Sequence, residues 1–295
     1  MPKLTIFTAT YNRAYILPKL YESLKNQTCL DFEWILVDDG SSDDTIEIVN
    51  QWIKEENRFE LNFIQSKHGG KIRAINKAVS LAKGDFFLIV DSDDYLKPYA
   101  VEWIYTVIPS IENDERFAGF SGIRCRQNED YIVKPNFDGK PYIDCLNTER
   151  KEFRLEADMA EVYKTSVLKR YPFPVWENEM YVPENVVWDR IALDGLKVRW
   201  YDKKIYVCEY LEDGITKGWD KLRMQNPMNF AMSANTYLCY AKGVFSKLQL
   251  IGEILYCCYL KGNFSYLKKT VYPKISMVLK PIAFFYYLYR KKKEK

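Results

Sequence analysis

The alternation of apolar segments with helix-patterned segments up to residue 112 is the feature that most limits the fold. Segments typical of β-strands lie at 3–8, 33–37, 59–66 and 85–90, and segments with apolar residues at helical spacing lie at 15–27, 43–56, 71–82 and 98–112. Repeated strand–helix–strand units require right-handed crossovers, and they give a mostly parallel sheet flanked by helices. The sequence therefore predicts an α/β fold that binds ligands at the carboxyl ends of its strands.

The pattern changes after residue 115. Short strand candidates at 118–125, 198–200 and 205–209 are mixed with short helices at 165–170 and 184–193, and helices at 227–241 and 245–260 follow. We predict one domain at 1–216, divided near residue 115, and a helical C-terminal region at 217–295 that ends in a basic tail.

Charge and cysteine content disfavour several classes of protein. The chain has 43 Lys and Arg against 40 Asp and Glu, and residues 290–295 alone carry five positive charges and one negative charge. The rest is close to neutral, which argues against a nucleic-acid binder. Seven Cys without a C-x-x-C pair, together with one His, favour reduced thiols in the cytoplasm over a zinc site or a disulfide framework. We expect neither a signal peptide nor a membrane-spanning helix.

Three polar clusters follow the first, second and fourth predicted strands. They are Thr10–Arg13, Asp38–Asp44 and Asp91–Asp94. Side chains two residues apart on extended backbone can point the same way, so Asp91 and Asp93 can share a ligand. Paired carboxylates suit Mg²⁺ or Mn²⁺, which often take further ligands from water and a substrate diphosphate. The sequence thus favours a divalent-metal site over a solvated acidic turn.

The neighbouring residues suit a nucleotide. A carboxylate such as Asp39, at the end of the second strand, can accept hydrogen bonds from a base or a ribose. The helix that begins at Lys71 follows Gly69-Gly70, and helix N-termini of this kind bind phosphate. Lys71 and Arg73 would add positive charge there. The alternatives are a capping loop for Asp38-Asp39 and an exposed basic face for Lys71 and Arg73.

The clusters, in this order, resemble family 2 glycosyltransferases with the GT-A fold, and the resemblance covers residues 3–115. It rests on Thr10–Arg13, on the run from Val37 to Thr45, on the segment from Lys71 to Asn76 and on Asp91-Ser92-Asp93-Asp94. It implies an inverting transfer of a sugar from a nucleotide-sugar, usually a UDP-sugar, to an acceptor hydroxyl. Residues 1–115 would then bind the nucleotide-sugar, and residues 116–216 would form the acceptor side.

The resemblance also implies roles for individual residues. In relatives, the residue that matches Asp39 contacts the uracil, the one that matches Asp91 lies near the ribose, and the one that matches Asp93 binds the metal. The predicted metal ligands are Asp93 and Asp91. The predicted donor-binding residues are Thr10, Tyr11, Asn12, Arg13, Asp39, Lys71, Arg73, Asn76, Asp91 and Ser92.

Relatives carry a further carboxylate as catalytic base, often in a Glu-Asp pair at the start of a late helix. Here that segment reads Pro183-Glu184-Asn185-Val186-Val187-Trp188-Asp189, so the pair is absent. Matching the helix body places Glu184 at the base position, where a helix start stabilises a charged carboxylate. Asp189, one turn later, is the second candidate for the group that takes the acceptor proton.

Other classes of protein remain as alternatives. A non-catalytic nucleotide-sugar or carbohydrate binder could use the same fold. A nucleotidyltransferase usually has a Gly-rich loop with Arg after the first strand, and a dehydrogenase has G-x-G-x-x-G there, whereas Thr10-Tyr11-Asn12-Arg13 contains no glycine. The resemblance favours a hexosyltransferase of bacterial cell-surface polysaccharide synthesis with a saccharide or lipid-linked saccharide acceptor.

The last segment combines aromatic residues with cations. An aromatic cluster at 284–289 directly precedes four cations at 290–293, and Lys280 and Pro281 interrupt the apolar run before it. Such a segment is too broken to span a bilayer, but it suits the surface of an anionic cytoplasmic leaflet. The alternative is a helix that packs on the protein and has a solvated basic end. We expect a cytoplasmic protein, with peripheral contact to the inner face of the cytoplasmic membrane as the favoured alternative.

Overall fold

The computed structural model describes residues 2–55, 58–209 and 218–293. Its described residues pack as two units. One unit comprises Met1–Pro172 and Ile191–Glu212, and the other comprises Phe173–Arg190 and Asp213–Lys295. The predicted boundary at residue 216 lies outside the described residues. Residues 173–190 pack with the C-terminal helices, and the predicted division into 1–216 and 217–295 stays a prediction.

The first unit contains a nine-stranded sheet, counted over the described residues. Its strands are β1 Leu4–Thr10, β2 Phe32–Asp38, β3 Glu60–Gln65, β4 Phe86–Ile89, β5 Tyr95–Leu96, β6 Phe117–Cys125, β7 Tyr142–Cys145, β8 Met159–Lys164 and β9 Lys197–Val207. Its helices are α1 Leu17–Lys25, α2 Thr45–Glu55, α3 Lys71–Leu81, α4 Ala100–Val107 and α5 Thr165–Arg170. Helix α6 (Asn185–Leu193) has residues in both units. The second unit also contains α7 Trp219–Gln225, α8 Pro227–Tyr240, α9 Val244–Lys261 and α10 Pro273–Lys293.

The sheet order is β3-β2-β1-β4-β8-β6-β9-β5, and β7 also pairs with β9. Strands β3, β2, β1 and β4 are parallel, whereas β8 is antiparallel to both β4 and β6. The pairing aligns Thr10 of β1 with Asp38 of β2, so the carboxyl ends of these strands lie together. The predicted α/β fold with a mostly parallel first half and flanking helices is confirmed.

The second half of the sheet is less regular. The segments 198–200 and 205–209, predicted as separate strands, belong largely to the single strand β9. Its register with β6 shifts around residues that include Lys204. It also pairs with β7 along one part and with β5 along another. Strands β5, β7 and β8 were not predicted.

A buried glutamate connects the strands near their amino ends. Glu33 of β2 is fully buried, and its carboxylate accepts hydrogen bonds from Thr5 Oγ1 (2.6 Å), Lys83 N (2.6 Å) and Asn62 Nδ2 (3.2 Å). Next to it, Gly84 lies so close to β1 that an added Cβ would be 2.6 Å from Thr5 N. These contacts fix the parallel strands relative to one another, since a buried carboxylate is stable only when it is hydrogen-bonded.

The second unit has its own apolar core, formed mainly by α8, α9 and α10. The buried carboxylate of Glu179 accepts hydrogen bonds from the backbone N–H groups of Met228 (3.0 Å) and Asn229 (2.9 Å), in the first turn of α8. Asn226 Oδ1 accepts two further bonds, from Met180 N and Tyr181 N. The Glu179 bonds satisfy free N–H groups at the start of α8. All four bonds connect residues 179–181 to the helical unit.

Helix α10 contains the aromatic cluster and most of the basic tail. It packs on α9, where the Tyr259 and Tyr287 rings are stacked with centroids 5.4 Å apart. Among the described helices, none combines the length and the apolar character that a membrane span requires. Glu294 and Lys295, the end of the predicted tail, lie outside the described residues.

Candidate active site

The loops after β1 and β2 are joined by hydrogen bonds. Asn12 adopts a left-handed backbone conformation (φ 52°), its N–H donates to Ser41 Oγ (2.9 Å), and its Oδ1 accepts from Ser42 N (2.8 Å). Arg13 N donates to Thr45 Oγ1 (3.2 Å) at the start of α2. Asn12 therefore fixes the conformation of the two loops. Asn residues tolerate the left-handed backbone region, and their side chains hydrogen-bond to nearby backbone groups.

The two adjacent aspartates after β2 have different surroundings. Asp38 accepts hydrogen bonds from Gly40 N (3.1 Å) and Ser41 N (3.0 Å) and so shapes its own turn. Asp39 instead accepts from Gly69 N (2.8 Å) and Gly70 N (2.9 Å), at the start of α3. Asp39 thus links the ends of β2 and β3, and its predicted contact with a donor base stays a prediction.

An aromatic surface lies beside Asp39. His68 Nδ1 is 2.9 Å from Asp39 Oδ2, and the His68 ring stacks on the Tyr11 ring with centroids 4.3 Å apart. Tyr11 is 44% exposed, so its ring is accessible to a ligand. Nearby, Thr10 Oγ1 is buried and has no hydrogen-bond partner among the described residues. A buried polar atom without a partner is costly, so its position at the carboxyl end of β1 suits a ligand contact.

Two cations flank Asp91 at the end of β4. Lys71 Nζ lies 2.6 Å from Asp91 Oδ1, and Arg124 Nη1 lies 3.3 Å from Asp91 Oδ2. Burial alone would raise the pKa of Asp91, but Lys71 and Arg124 outweigh it and lower the pKa to about 2. The Asp91 N–H donates to Tyr206 Oη (2.9 Å). The structure thus brings Lys71 and Asp91 together, and the carboxylate offsets the positive charge that would otherwise be unfavourable at the start of a helix.

The pKa values of Asp93 and Asp94 are shifted in the opposite direction to that of Asp91. Burial, followed by the negative charge of Asp91, raises the pKa of Asp93. The same two causes raise the pKa of Asp94 to about 7. Asp94 Oδ1 accepts a hydrogen bond from Glu209 N (2.9 Å), which ties it to the end of β9. Nearby positive charge therefore stabilises the charged forms of Asp93 and Asp94 less than that of Asp91.

Of the acidic residues after β4, Asp93 is suited to bind a divalent cation. No group of three or more His, Cys, Asp or Glu side chains with metal-binding spacing occurs in residues 2–55, 58–209 and 218–293. Mg²⁺ and Mn²⁺ at phosphate sites need only one or two carboxylates. Asp93 can supply one, and a cation there would offset its repulsion from Asp91. Asp91 stays a predicted ligand, but both of its oxygens face cations already.

The remaining predicted donor residues lie on the same unit. Arg73 Nη1 donates to Gly69 O and so stabilises the turn that precedes α3. Asn76 lies further along that helix. Ser92 is buried between the two aspartates. Arg124 and Tyr206 complete the cluster and were not predicted. They lie on β6 and β9, distant in sequence from Asp91, and an Arg or a Tyr in an apolar strand carries no signal of such a contact.

The two candidate bases have different surroundings in the second unit. Asp189 is 2% exposed, and its Oδ2 accepts hydrogen bonds from Tyr240 Oη (2.9 Å) and Asn185 Nδ2 (3.2 Å). Glu184 is half-buried and directly precedes α6, whose first N–H groups bond to its backbone carbonyl. Asp189 is therefore committed to contacts within the helical unit, whereas Glu184 stands at a helix start.

A parallel sheet with carboxylates and cations at its carboxyl edge is typical of α/β proteins that bind nucleotides. Residues 5–172 match the family model described as "Glycosyl transferase family 2". The chain belongs to this family and has the GT-A fold.

One relative in sequence is the GalNAc(5)-diNAcBac-PP-undecaprenol beta-1,3-glucosyltransferase of Campylobacter jejuni. The two are 29% identical over 195 residues, which are 64% of this chain and 59% of the relative. The chain thus matches less than two thirds of that relative's length.

Two solved structures are similar in fold. Staphylococcus aureus TarS 1–349 in complex with UDP-GlcNAc has a TM-score of 0.62 at 18% identity, covering 93% of this chain and 88% of that one. The mannosyltransferase PcManGT of Pyrobaculum calidifontis, in complex with GDP-Man and Mn²⁺, has a TM-score of 0.58 at 16% identity, covering 98% of this chain and 82% of that one. At these identities the likeness shows the fold alone.

Proposed function

We propose that this glycosyltransferase moves a sugar from a UDP-sugar to an acceptor hydroxyl with inversion, in bacterial cell-surface polysaccharide synthesis. The observation that carries the proposal is the cluster of Lys71, Asp91, Arg124 and Asp93 at the carboxyl edge of the parallel strands. The crystal complex of TarS with UDP-GlcNAc supports a UDP-sugar donor. The undecaprenol-linked saccharide in the name of the Campylobacter relative supports a saccharide or lipid-linked saccharide acceptor.

The donor nucleotide would bind against the loops after β1 and β2. The exposed Tyr11 ring offers a stacking surface for the base, and Thr10 Oγ1 offers an unpartnered hydrogen-bonding group. Asp39 keeps the 68–70 loop closed beside them. The diphosphate would lie towards Lys71, whose ammonium group at the start of α3 can exchange Asp91 for phosphate oxygens.

A divalent cation, Mn²⁺ or Mg²⁺, is the proposed cofactor, with Asp93 as its first ligand and Asp91 as the second candidate. When bound, such an ion offsets the negative charge that develops on the leaving diphosphate. The Mn²⁺ complex of PcManGT supports this proposal.

The residues of this chain would contribute to a single displacement. Glu184 accepts the proton of the acceptor hydroxyl, whose oxygen forms a bond to the anomeric carbon from the face opposite UDP. The bond from that carbon to the β-phosphate oxygen breaks, and its electron pair leaves with UDP, where Lys71 helps to offset the charge. The proton on Glu184 then passes to solvent. Asp189 is the second candidate for the base.

A donor screen tests the proposal. The full chain is incubated with Mn²⁺ and each of UDP-glucose, UDP-galactose, UDP-GlcNAc, UDP-GalNAc and GDP-mannose, and release of the nucleotide diphosphate is measured. We expect one UDP-sugar to be hydrolysed faster than the others and GDP-mannose to be inactive. Release from GDP-mannose alone would contradict the UDP assignment, and release from no donor, with no thermal stabilisation by UDP, would contradict the donor site.

We also propose that the reaction takes place at the inner face of the cytoplasmic membrane, where a lipid-linked acceptor and a soluble donor can meet.

A further inference from the structure

Helix α10 carries apolar side chains on more than one face. One face packs within the second unit, where Ala283 is part of the core and Leu279 and Tyr287 lie against it. Another face carries five exposed apolar side chains at intervals of three and four residues, namely Ile275, Val278, Ile282, Phe285 and Tyr289. We call these five residues the outer stripe. Intervals of three and four residues place side chains on one face of an α-helix.

The outer stripe is unusually exposed for its composition. Val278, Ile282 and Phe285 are 75%, 68% and 72% exposed. The stripe extends over roughly 21 Å of helix at 1.5 Å per residue. Single exposed apolar residues are ordinary on protein surfaces, but a continuous row of this length marks an interaction surface.

The segment that carries the stripe has charges of one sign, although its Arg290 pairs with Asp220 of α7 at 3.2 Å. Between Glu253 and Glu294 the sequence contains nine Lys and Arg residues and no Asp or Glu. Two of the nine, Lys274 and Lys292, are exposed. Their spacing along the helix places them at the two ends of the stripe. Lys274 lies four residues before Val278, and Lys292 lies three residues after Tyr289. Each end of the apolar row therefore has a cation beside it.

We propose that the outer stripe docks on an anionic lipid bilayer surface, with its apolar side chains at the boundary of headgroups and acyl chains and with Lys274 and Lys292 on lipid phosphates. Aromatic and aliphatic side chains beside cations suit this environment. A second copy of the chain is a poor occupant, because two acid-free, cation-rich helices would face each other. This proposal rests on the proposed function in one point: docking would bring the enzyme to a lipid-linked acceptor.

Sedimentation with vesicles tests the docking. The full chain is mixed with vesicles of phosphatidylcholine alone or with about one third phosphatidylglycerol, at low and high NaCl. We expect binding to the anionic vesicles only, and loss of binding at high salt. The double variant Ile282→Ser/Phe285→Ser should lower the partition coefficient at least about tenfold. Lys274→Glu/Lys292→Glu should lower it by about tenfold or more.

The matched control removes similar side chains from the first unit. Val133 and Phe153 are 52% and 42% exposed, so Val133→Ser/Phe153→Ser removes one aliphatic and one aromatic group elsewhere. This control should bind vesicles like the wild type, and all variants should unfold at similar temperatures.

Several results would overturn the docking proposal. Equal binding by wild type and Ile282→Ser/Phe285→Ser would do so, as would equal binding to neutral vesicles. Self-association that the same variant abolishes, without vesicle binding, would assign the stripe to a second copy. Capture of a protein partner without vesicle binding would also refute it. Hydrolysis of the donor separates the two proposals. The variant Ile282→Ser/Phe285→Ser should still hydrolyse the donor. If the wild type bound vesicles but hydrolysed no donor, only the proposed function would be refuted.

Discussion

Replacing Arg124 by Met should weaken both the first unit and its donor site, because Arg124 is the second cation on Asp91. Arg124 Nη1 lies 3.3 Å from Asp91 Oδ2, and Arg124 Nε donates to Met159 O at 2.8 Å. The guanidinium also lies 4.4 Å from the centroid of the Tyr206 ring. Arg124→Met keeps the apolar stem of the side chain and removes all three interactions.

The size of the effect follows from these contacts. A hydrogen bond to a charged group contributes about 1.5–3 kcal/mol, and a cation–π contact contributes about 0.5–2 kcal/mol. The Arg124 and Asp91 side chains are 17% and 26% exposed, so water screens their attraction only in part. Lys71 remains 2.6 Å from Asp91 and limits the loss. We expect the free energy of unfolding to fall by about 2–4 kcal/mol and the midpoint of thermal unfolding by roughly 5–12 °C.

The effect on the donor site is measured separately. Without Arg124, Lys71 must balance Asp91 alone and is less available to phosphate, so the affinity for UDP with Mn²⁺ should fall by about tenfold, or about 1.4 kcal/mol. Circular dichroism gives the unfolding midpoint, and calorimetry gives the affinity for UDP.

Arg199→Met is the matched control for this experiment. Arg199 Nε and Nη2 bond to the two carboxylate oxygens of Asp144 at 2.7 and 2.8 Å, and its guanidinium lies 4.9 Å from the ring of Phe117, at the other end of β6 from Arg124. This change should destabilise the chain similarly and leave UDP affinity within about twofold. If Arg124→Met kept the wild-type affinity for UDP, the link from Arg124 to the donor site would be wrong. An unchanged unfolding midpoint would refute the energetic reasoning.

Three further predictions concern single carboxylates. Asp93→Asn should lower the Mn²⁺-dependent affinity for UDP by about tenfold or more in calorimetry, and an unchanged metal dependence would remove Asp93 from the metal site. Glu184→Gln should lower transfer by about 10²- to 10⁴-fold with UDP affinity nearly intact, whereas wild-type transfer with an inactive Asp189→Asn would give the role to Asp189. Glu179→Ala should lower the free energy of unfolding by about 2–4 kcal/mol, because two N–H groups of α8 lose their acceptor. Glu177 is an exposed neighbour, and Glu177→Ala should change the free energy of unfolding by less than about 0.5 kcal/mol. Denaturant titration measures both.

The first half of the fold could be predicted because its signals are local. Apolar strands and amphipathic helices alternate over short distances, and each crossover has one favoured hand. The second half depends on pairings between distant segments. Strand β8 lies between β4 and β6 although it follows both in the chain, and β9 divides its pairing between β6, β7 and β5. Such pairings leave no local pattern in the sequence.

The candidate site was predictable to the same extent. The residues that follow the four parallel strands β1 to β4 stand at one edge of the sheet by topology alone, so Lys71 after β3 and Asp91 after β4 could be expected to lie close together. Arg124 could not, because its contact with Asp91 depends on β6 and β8 joining the sheet. The role of Asn12 in bonding two loops was also hidden, since it depends on a left-handed backbone conformation. The assignments of donor, metal and base residues remain predictions.

The charges of the site explain why donor and metal should bind as one unit. Asp91 already has Lys71 and Arg124, whereas burial and the charge of Asp91 raise the pKa of Asp93 and leave it short of positive charge. A nucleoside diphosphate alone would bring more negative charge next to these carboxylates. In the proposed site, a divalent cation held by Asp93 would offset both charges, and Lys71 could then exchange Asp91 for a phosphate oxygen while Arg124 stays on Asp91. We therefore expect Arg124 to keep its contact with Asp91 when the donor binds, and Lys71 to be the cation that contacts the donor phosphates.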